Sequence, residues 1–190
     1  VIDIPKEYVI GSYVGFGLIR VINKDNKWGL INIMKEVIIE PQFTYIDTFD
    51  GTYATVWSSE VDEVILFIDG DQWHTNMKYG IINTCGDIIL PMEYDSIEKW
   101  DNGYYYLIKK NGPNTLLSPT LHTIIESEKP LKKLSDRYIL VIIPGEYPHS
   151  TKYGLIDYNG NEIVPTDQEH SFSEIEVLKN GFLKVIYDKG

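Results

Sequence analysis

Short runs of aliphatic residues, separated by polar turn residues, recur along the whole chain. The runs are rich in Ile and Val, and Gly, Asn, Asp and Pro lie between them. This pattern is typical of short antiparallel strands and their turns. Residues 130–137 allow one turn of helix, but no stretch of useful length has the 3.6-residue period of an amphipathic helix. The pattern therefore predicts an all-β fold.

Three segments share one motif, in which Lys, an aromatic residue and Gly precede two aliphatic residues and Asn or Asp. These head motifs are Lys27–Asn32, Lys78–Asn83 and Lys152–Asp157. A turn then leads to a second aliphatic run that ends in proline, 11 or 12 residues after the glycine of the motif. The prolines are Pro41, Pro91 and Pro165. Each head predicts a hairpin that ends at its proline, because proline lacks the donor that a strand ladder needs.

A tail follows each head and consists of an aromatic residue, an isoleucine, a glycine corner and a closing aliphatic run. Gly29 and Gly80 are 51 residues apart, whereas Gly80 and Gly154 are 74 apart, or two units of about 37. A degenerate head is therefore expected within residues 115–126. We predict a single repeat domain (1–190), divided into an N-terminal half-repeat cap (1–26), repeat 1 with an insertion (27–77), repeat 2 (78–113), degenerate repeat 3 with an insertion (114–151) and repeat 4 (152–190).

The head and tail together resemble the WG-containing repeat family of bacterial proteins. Units of that family read roughly (K/G)-W-G-L-I-(D/N), a turn, V-I-x-P-x-(Y/F), I, F-x-x-G and V. The resemblance covers residues 5–190, although only Trp28 keeps the tryptophan, and Tyr79 and Tyr153 replace it elsewhere. The family is defined by its repeat rather than by a reaction, so the resemblance implies architecture more than activity.

Each unit supplies about three short strands, which are too few to bury a core alone, so neighbouring units must stack. A propeller shares its last blade between the two termini, and its blades are about 40–45 residues long. Here the surplus half-unit lies at the start, and the repeat is shorter. We expect an open twisted array of hairpins, with a partly closed barrel or a propeller-like ring as the alternative.

Charge and composition narrow the classes of partner. The formal net charge is −11 and the pI is about 4.7, which argues against nucleic-acid binding and favours a basic protein partner. The single cysteine, Cys85, excludes an intrachain disulfide. No apolar run approaches the ~18–20 residues that a membrane span requires. We expect a cytoplasmic protein, because no signal-like segment precedes the repeats; a mature secreted or periplasmic form remains the alternative.

Residues that could carry chemistry are scattered. The four histidines, His74, His122, His149 and His170, form no metal-ligand spacing, and no pair of carboxylates recurs across the units. Gly15-Phe16-Gly17 lacks the third glycine and the following helix of a phosphate-binding loop. We therefore predict no catalytic residue, no cofactor and no metal.

Two insertions before head motifs resemble each other and are the main candidate for a binding site. Residues 69–74 and 144–149 both contain Gly, an acidic residue, an aromatic residue and His. Equivalent loops of a repeat array often form its binding face. The predicted partner-binding residues are Glu60, Asp62, Glu63, Asp69, Asp71, Trp73, His74, Glu146, Tyr147 and His149. The alternative is that both insertions are solvated hairpin tips whose similarity is left over from duplication.

The resemblance implies that some proteins with this repeat occur near toxin–antitoxin-like genes and act as immunity proteins. The first hypothesis is therefore a non-catalytic inhibitor that covers the active site of a basic toxin, with acids pairing its Lys and Arg side chains. The alternative is a cell-envelope or structural module that binds glycan or another cell-wall component through its aromatic residues. An enzyme ranks last.

Overall fold

The computed structural model describes residues 6–59, 64–66, 72–74, 77–146, 150–167, 172–180 and 182–186. The regular elements in these ranges are all β-strands, and they pair in antiparallel fashion. Each described sheet is an open row of strands, and none of these sheets closes into a barrel. The prediction of an all-β array of antiparallel hairpins is therefore confirmed.

The chain forms two compact units, residues 1–97 and 98–190. The first unit contains two four-stranded sheets, in the orders β1-β2-β3-β4 and β10-β9-β6-β5, and the hairpin β7-β8. Its strands are β1 (Val9–Gly15), β2 (Leu18–Ile22), β3 (Trp28–Asn32), β4 (Val37–Phe43), β5 (Tyr45–Ile46), β6 (Tyr53–Ser59), β7 (Val64–Leu66), β8 (Gln72–His74), β9 (Met77–Asn83) and β10 (Ile88–Tyr94).

The remaining sheets have the orders β11-β12-β13-β14, β15-β16-β17-β18 and β19-β20. The first of these strands begins two residues before the boundary between the units. The strands are β11 (Ser96–Lys99), β12 (Tyr105–Ile108), β13 (Asn114–Leu117), β14 (Thr123–Ser127), β15 (Leu131–Lys133), β16 (Tyr138–Ile143), β17 (Lys152–Asp157), β18 (Glu162–Val164), β19 (Glu174–Val177) and β20 (Leu183–Ile186).

The sheets are out of phase with the sequence repeats. Each four-stranded sheet combines the tail hairpin of one repeat with the head hairpin of the next. The first sheet, for example, joins β1 and β2 of the cap to β3 and β4 of repeat 1. The same tail-to-head pairing recurs as β6·β9, β12·β13 and β16·β17. Each described head hairpin thus completes a sheet that the preceding repeat begins.

The turn inside each head hairpin is closed by a polar side chain at its first position. An oxygen of that side chain accepts a hydrogen bond from the backbone N–H four residues later, at 2.8–3.1 Å. The four pairs are Asn32–Glu36, Asn83–Asp87, Ser118–His122 and Asp157–Asn161. The fourth residue of each turn has a positive φ, and only two of the four are glycine. Local side-chain chemistry therefore closes each of these turns.

Apolar residues from neighbouring sheets form the cores. In the first unit, Leu30 and Ile39 of one sheet pack with Ile46, Val56 and Ile82 of the other. In the second unit, the described residues include the following clusters. One contains Leu116, Leu131, Ile139, Val141 and Ile156, and the other contains Leu140, Leu155, Val164 and Ile175. Burial of this apolar surface is the main force that holds adjacent sheets together.

The helical turn that the sequence allowed within residues 130–137 does not form. Leu131–Lys133 is strand β15, which pairs with Ile139–Val141 of β16. Leu131 is buried in the core, and its backbone N–H donates to the hydroxyl of Tyr106 at 2.9 Å. Tertiary contacts therefore override a weak local preference in this segment.

Candidate binding surface

Most of the predicted partner-binding residues lie outside the described residues. These are Glu60, Asp62, Glu63, Asp69, Asp71, Tyr147 and His149. Trp73 and His74 belong to strand β8, where they pair with Ile65 and Val64 of β7. Glu146 is exposed. The grouping of these residues into one surface stays a prediction.

The described strands do fix where both insertions leave the sheets. The first leaves β6 after Ser59 and returns at Met77, and these two residues are register partners. The second leaves β16 after Ile143 and returns at Lys152, which are also register partners. Both insertions therefore elongate the same connection, between a tail strand and the first strand of the next head. In the first and third four-stranded sheets this connection is short.

A row of four half-buried aromatic rings crosses the first unit. The rings are Trp28, Tyr45, Trp57 and Tyr79. Successive ring centroids are 6.2, 4.5 and 5.7 Å apart. Tyr45 and Tyr79 are both register partners of Trp57 on adjacent strands. Trp57 lies three residues before the five-acid segment 60–71, so aromatic and acidic groups adjoin along the chain.

The side chain of Arg20 packs against two rings of this row. Its guanidinium lies 4.8 Å from the ring centre of Tyr45 and 5.8 Å from that of Trp28, within the range of a cation–π contact. Its Nη1 donates to the Ile46 carbonyl oxygen at 2.7 Å, and Nε donates to Ser12 Oγ at 3.0 Å. Arg20 is only 9% exposed. This cation therefore positions rings and strands and is little available to a partner.

The second unit has an aromatic cluster that its hydrogen bonds mark as structural. Trp100 packs against Tyr106 and Tyr158, and Tyr104 lies 4.7 Å from Tyr158. The Tyr158 hydroxyl donates to the Ser135 carbonyl oxygen at 3.1 Å and accepts from Asn102 Nδ2 at 2.9 Å. Burial raises the pKa of Tyr106 and of Tyr158. Both phenols therefore stay neutral, as packing groups with satisfied hydroxyls should.

Charged side chains form ion pairs both within a turn and between segments that are distant along the chain. Lys78 of a head motif pairs with Asp95 at 2.7 Å. Lys133 pairs with Asp101 and, at 2.8 Å, with Asp136. The hydrogen bond from Lys133 lowers the pKa of Asp101. The Tyr8 hydroxyl bonds to the Glu40 carboxylate, which raises the pKa of Tyr8 to about 12.

The described His122 and Cys85 side chains lie in hairpin turns. His122 shares a hydrogen bond with Thr120 Oγ1 at 3.0 Å, and Cys85 is exposed in a turn that Asn83 closes. No group of three metal-ligating side chains occurs among the residues that the structure describes. The described part of the chain also has no helix that is long and apolar enough to cross a bilayer.

In the three heads that contain the motif, the glycine lies opposite the part of the returning strand that holds the proline. Gly80 lies opposite a bulge in β10, since Tyr79 pairs with Tyr94 while Ile81 pairs with Leu90. A Cβ on Gly80 would lie 2.6 Å from the Leu90 carbonyl oxygen, so only glycine leaves room for the bulge that holds Pro91. Gly29 faces the equivalent bulge in β4, at Pro41, and Gly154 faces Pro165 and Thr166. This contact explains the nearly constant Gly-to-Pro spacing.

The family model described as WG containing repeat matches residues 28–56 and 79–112, about a third of the chain. These two segments are WG repeats. No curated protein matches the chain. Each WG repeat begins at an aromatic residue, Trp28 or Tyr79. Its register partner on the next strand is the aromatic residue that follows the proline, Phe43 for Trp28 and Tyr94 for Tyr79. Tyr153 makes the equivalent bridge to Phe172, although that segment lies outside the two matched WG repeats.

Sequence reasoning identified the rings of the WG motif but missed their neighbours. Tyr45 and Trp57 lie in the tail of repeat 1, and Arg20 lies in the cap. The signal that could have found Tyr45 and Trp57 is cross-strand pairing of aromatic residues within a hairpin. Arg20 carries no such signal, because it reaches the rings only after the cap joins the first WG repeat in one sheet.

Proposed function

We propose that this WG repeat protein is a non-catalytic binding protein that inhibits a basic bacterial toxin in the cytoplasm. The inhibitor would cover the active site of the toxin, with its carboxylates pairing the Lys and Arg side chains that surround that site. Complementary charge accelerates association and selects partners, and aromatic anchors supply affinity once water is excluded. The proposal concerns the first unit, where both kinds of group are concentrated.

The uneven distribution of charge carries this proposal. Residues 1–97 contain 15 acidic and 6 basic residues, whereas residues 98–190 contain 13 and 11. Of the acids in the first unit, five lie within residues 60–71, which contain no base. This segment starts three residues after Trp57, which lies between Tyr45 and Tyr79 in the aromatic row. A basic partner would therefore be attracted most strongly to a segment that follows Trp57 closely in the sequence.

The test compares two variants with the same change in net charge. One replaces Glu60, Asp62, Glu63, Asp69 and Asp71 by the corresponding amides. The control replaces Glu126, Glu128, Glu162, Glu174 and Glu176 by glutamine; these residues are exposed and belong to the second unit. Each protein serves as bait in a bacterial lysate at about 50 mM and about 500 mM salt, a range over which exposed charges become screened.

We expect the unmodified chain and the control to retain one basic protein near 1:1 at low salt and release it at high salt. The five-acid variant should fail to retain it, and stoichiometric addition of the chain should abolish the toxic activity of the captured protein. The proposal would be contradicted if retention did not depend on salt or if both variants retained the protein equally. It would also be contradicted if the captured protein stayed active.

The aromatic row itself favours a second candidate, a module that binds glycan or another cell-wall component. Tyr and Trp rings stack on sugar faces, and such binding survives high salt because it depends little on net charge. Soluble cell-wall glycan fragments should then quench tryptophan fluorescence equally at low and high salt. Trp57→Ala should abolish the quenching, while Trp100→Ala, in the second unit, should not.

A further inference from the structure

A cleft of about 280 Å³ in the second unit is lined by residues of β15, β16, β17 and β19. Two of the lining residues, Leu140 and Ile175, are buried in the core beside it. The others are Lys132, Ile142, Tyr153 and Glu174. The cleft thus combines an apolar core edge with one aromatic ring and two groups of opposite charge, which is the usual make-up of a small ligand site.

The same backbone positions in the first unit surround the side chain of Arg20. Tyr153 and Trp28 are the aromatic residues of their head motifs. Their register partners on the tail strands lie two positions after Leu140 and Arg20, respectively. Leu140 is therefore the equivalent of Arg20.

The tails that follow these two heads match as well. Ile175 holds the position of Ile46, three residues after the aromatic residue that pairs with the head aromatic. Glu174 accordingly holds the position of Tyr45. In both tails, the backbone N–H before this position donates at 2.9 Å to the carbonyl oxygen of the register partner of Tyr45 or Glu174. The strands around both sites therefore pair in the same way.

In the first unit a guanidinium occupies this position. It lies against the rings of Trp28 and Tyr45 and donates to the Ile46 carbonyl oxygen. Leu140 supplies no such group in the second unit. The equivalents of those three contacts are therefore left to line the cleft, and they are Tyr153, Glu174 and Ile175.

Two exposed side chains give the cleft charges that the Arg20 site lacks. Glu174 supplies a carboxylate where the first unit has the ring of Tyr45. Lys132, the register partner of Leu140, supplies an ammonium group from β15. Within the part of the chain that the structure describes, neither Glu174 nor Lys132 belongs to an ion pair. A ligand that carries both a cation and an anion would find a partner for each.

We propose that the cleft binds an arginine with a free α-carboxylate, either as free arginine or as the last residue of a polypeptide. The guanidinium would stack on the Tyr153 ring and pair with the Glu174 carboxylate. It would also donate to the carbonyl oxygen of Ile175, the equivalent of the acceptor that Arg20 uses. The Lys132 ammonium would hold the carboxylate. The site goes beyond the proposed function, because it lies outside residues 60–71 and requires no toxin.

Amide chemical shifts of the intact, ¹⁵N-labelled chain test the site with simple ligands. The ligands are L-arginine and acetyl-glycyl-arginine, and we expect saturable binding with a dissociation constant near about 1 mM. The shifts should be concentrated at Leu140, Tyr153 and Ile175. Citrulline has nearly the same shape but no charge on its side chain, and argininamide lacks the carboxylate. Each should bind at least ~10-fold more weakly than arginine, because each loses one charge-assisted contact.

The two arginine ligands distinguish the source of the arginine. Free arginine carries an α-ammonium group that Lys132 would repel, whereas the acetylated dipeptide does not. Tighter binding of the dipeptide would assign the site to the carboxy-terminal residue of a polypeptide. Binding of free arginine that is at least as tight would assign it to the free amino acid.

Variants of the chain locate the ligand. Glu174→Gln and Lys132→Met should each weaken binding at least ~10-fold. Glu128→Gln makes the same change in charge at an exposed residue outside the cleft and should leave binding unchanged. Leu140→Arg would place a guanidinium where Arg20 has one, so it should abolish binding while circular dichroism shows a folded chain. If Leu140→Arg does not fold, the charge variants still decide.

Four results would overturn the proposal. They are the absence of arginine binding, equal binding of citrulline, unchanged binding to Glu174→Gln, and arginine binding by a folded Leu140→Arg chain. The assay contains no toxin and leaves residues 60–71 intact, so its failure would leave the salt-dependent inhibition untouched. Conversely, loss of inhibition as the proposed function would leave arginine binding to this cleft unaffected.

Discussion

Single turn residues of the head hairpins differ in how well they suit their backbone. The fourth turn position has a φ between 62° and 90° in all four hairpins. Glycine occupies it in two hairpins, at Gly86 and Gly160, and Lys35 and Leu121 occupy it in the other two. A side chain with a Cβ costs about 1–2 kcal/mol in this region. Glycine avoids that cost but loses more backbone entropy on folding. The repeats therefore contain a correctable strain at Leu121.

We predict that Leu121→Gly raises the free energy of unfolding by about 0.5 kcal/mol, the balance of these two effects. Gly86→Ala is the reverse change and should destabilise the chain, because its Cβ would lie 2.9 Å from Ile39 Cγ1. Urea denaturation measures both variants. A loss of stability in Leu121→Gly would mean that its half-buried side chain contributes more packing than the strain costs.

At the scale of elements, an ion pair links two hairpins of the second unit. Lys133 lies on β15, and Asp101 lies in the turn between β11 and β12. The bond lowers the pKa of Asp101 below its ordinary value of 3.8. A lowered folded-state pKa stabilises the fold above the unfolded-state value, and that stabilisation is lost as the pH falls through the folded-state pKa. Because Asp101 is exposed, solvent screens the effect.

We predict that Lys133→Met reduces the loss of stability between about pH 6 and about pH 3. The substitution removes the ammonium group that lowers the pKa of Asp101 in the folded state. Lys132→Met, one residue away on the same strand, should keep the original pH dependence. Urea midpoints at both pH values give the comparison. An identical pH dependence in Lys133→Met and the unmodified chain would show that this pair contributes nothing measurable.

The strands themselves were predictable because alternating aliphatic runs and turn residues report local preference directly. β13 and β14 could be placed within a degenerate repeat by spacing alone. β15 could not, because Leu131 is a strand residue only through its contacts with β16 and Tyr106. Pairing between a tail and the next head depends on register across long separations, so the contact between Trp57 and Tyr79 could not be predicted from local pattern.

At the scale of the whole molecule, repeats depend on their successors. A head hairpin belongs by sequence to its own repeat, yet its first strand closes the sheet and the core that the preceding tail begins. Ile82 is 0% exposed and packs with Leu30 and Ile39 of the first sheet. Removing its side chain should therefore weaken a segment some 40–50 residues earlier in the chain.

We predict that Ile82→Ala costs about 2–4 kcal/mol, the usual result of opening a cavity in a packed core. Ile89→Ala, on the neighbouring strand β10, should cost far less because Ile89 is 39% exposed. Amide hydrogen exchange gives the decisive readout. In Ile82→Ala, amides of β3 and β5 should lose protection together with those of β9, because the three strands bound one core. Faster exchange confined to β9 and β10 would mean that each head is an independent hairpin.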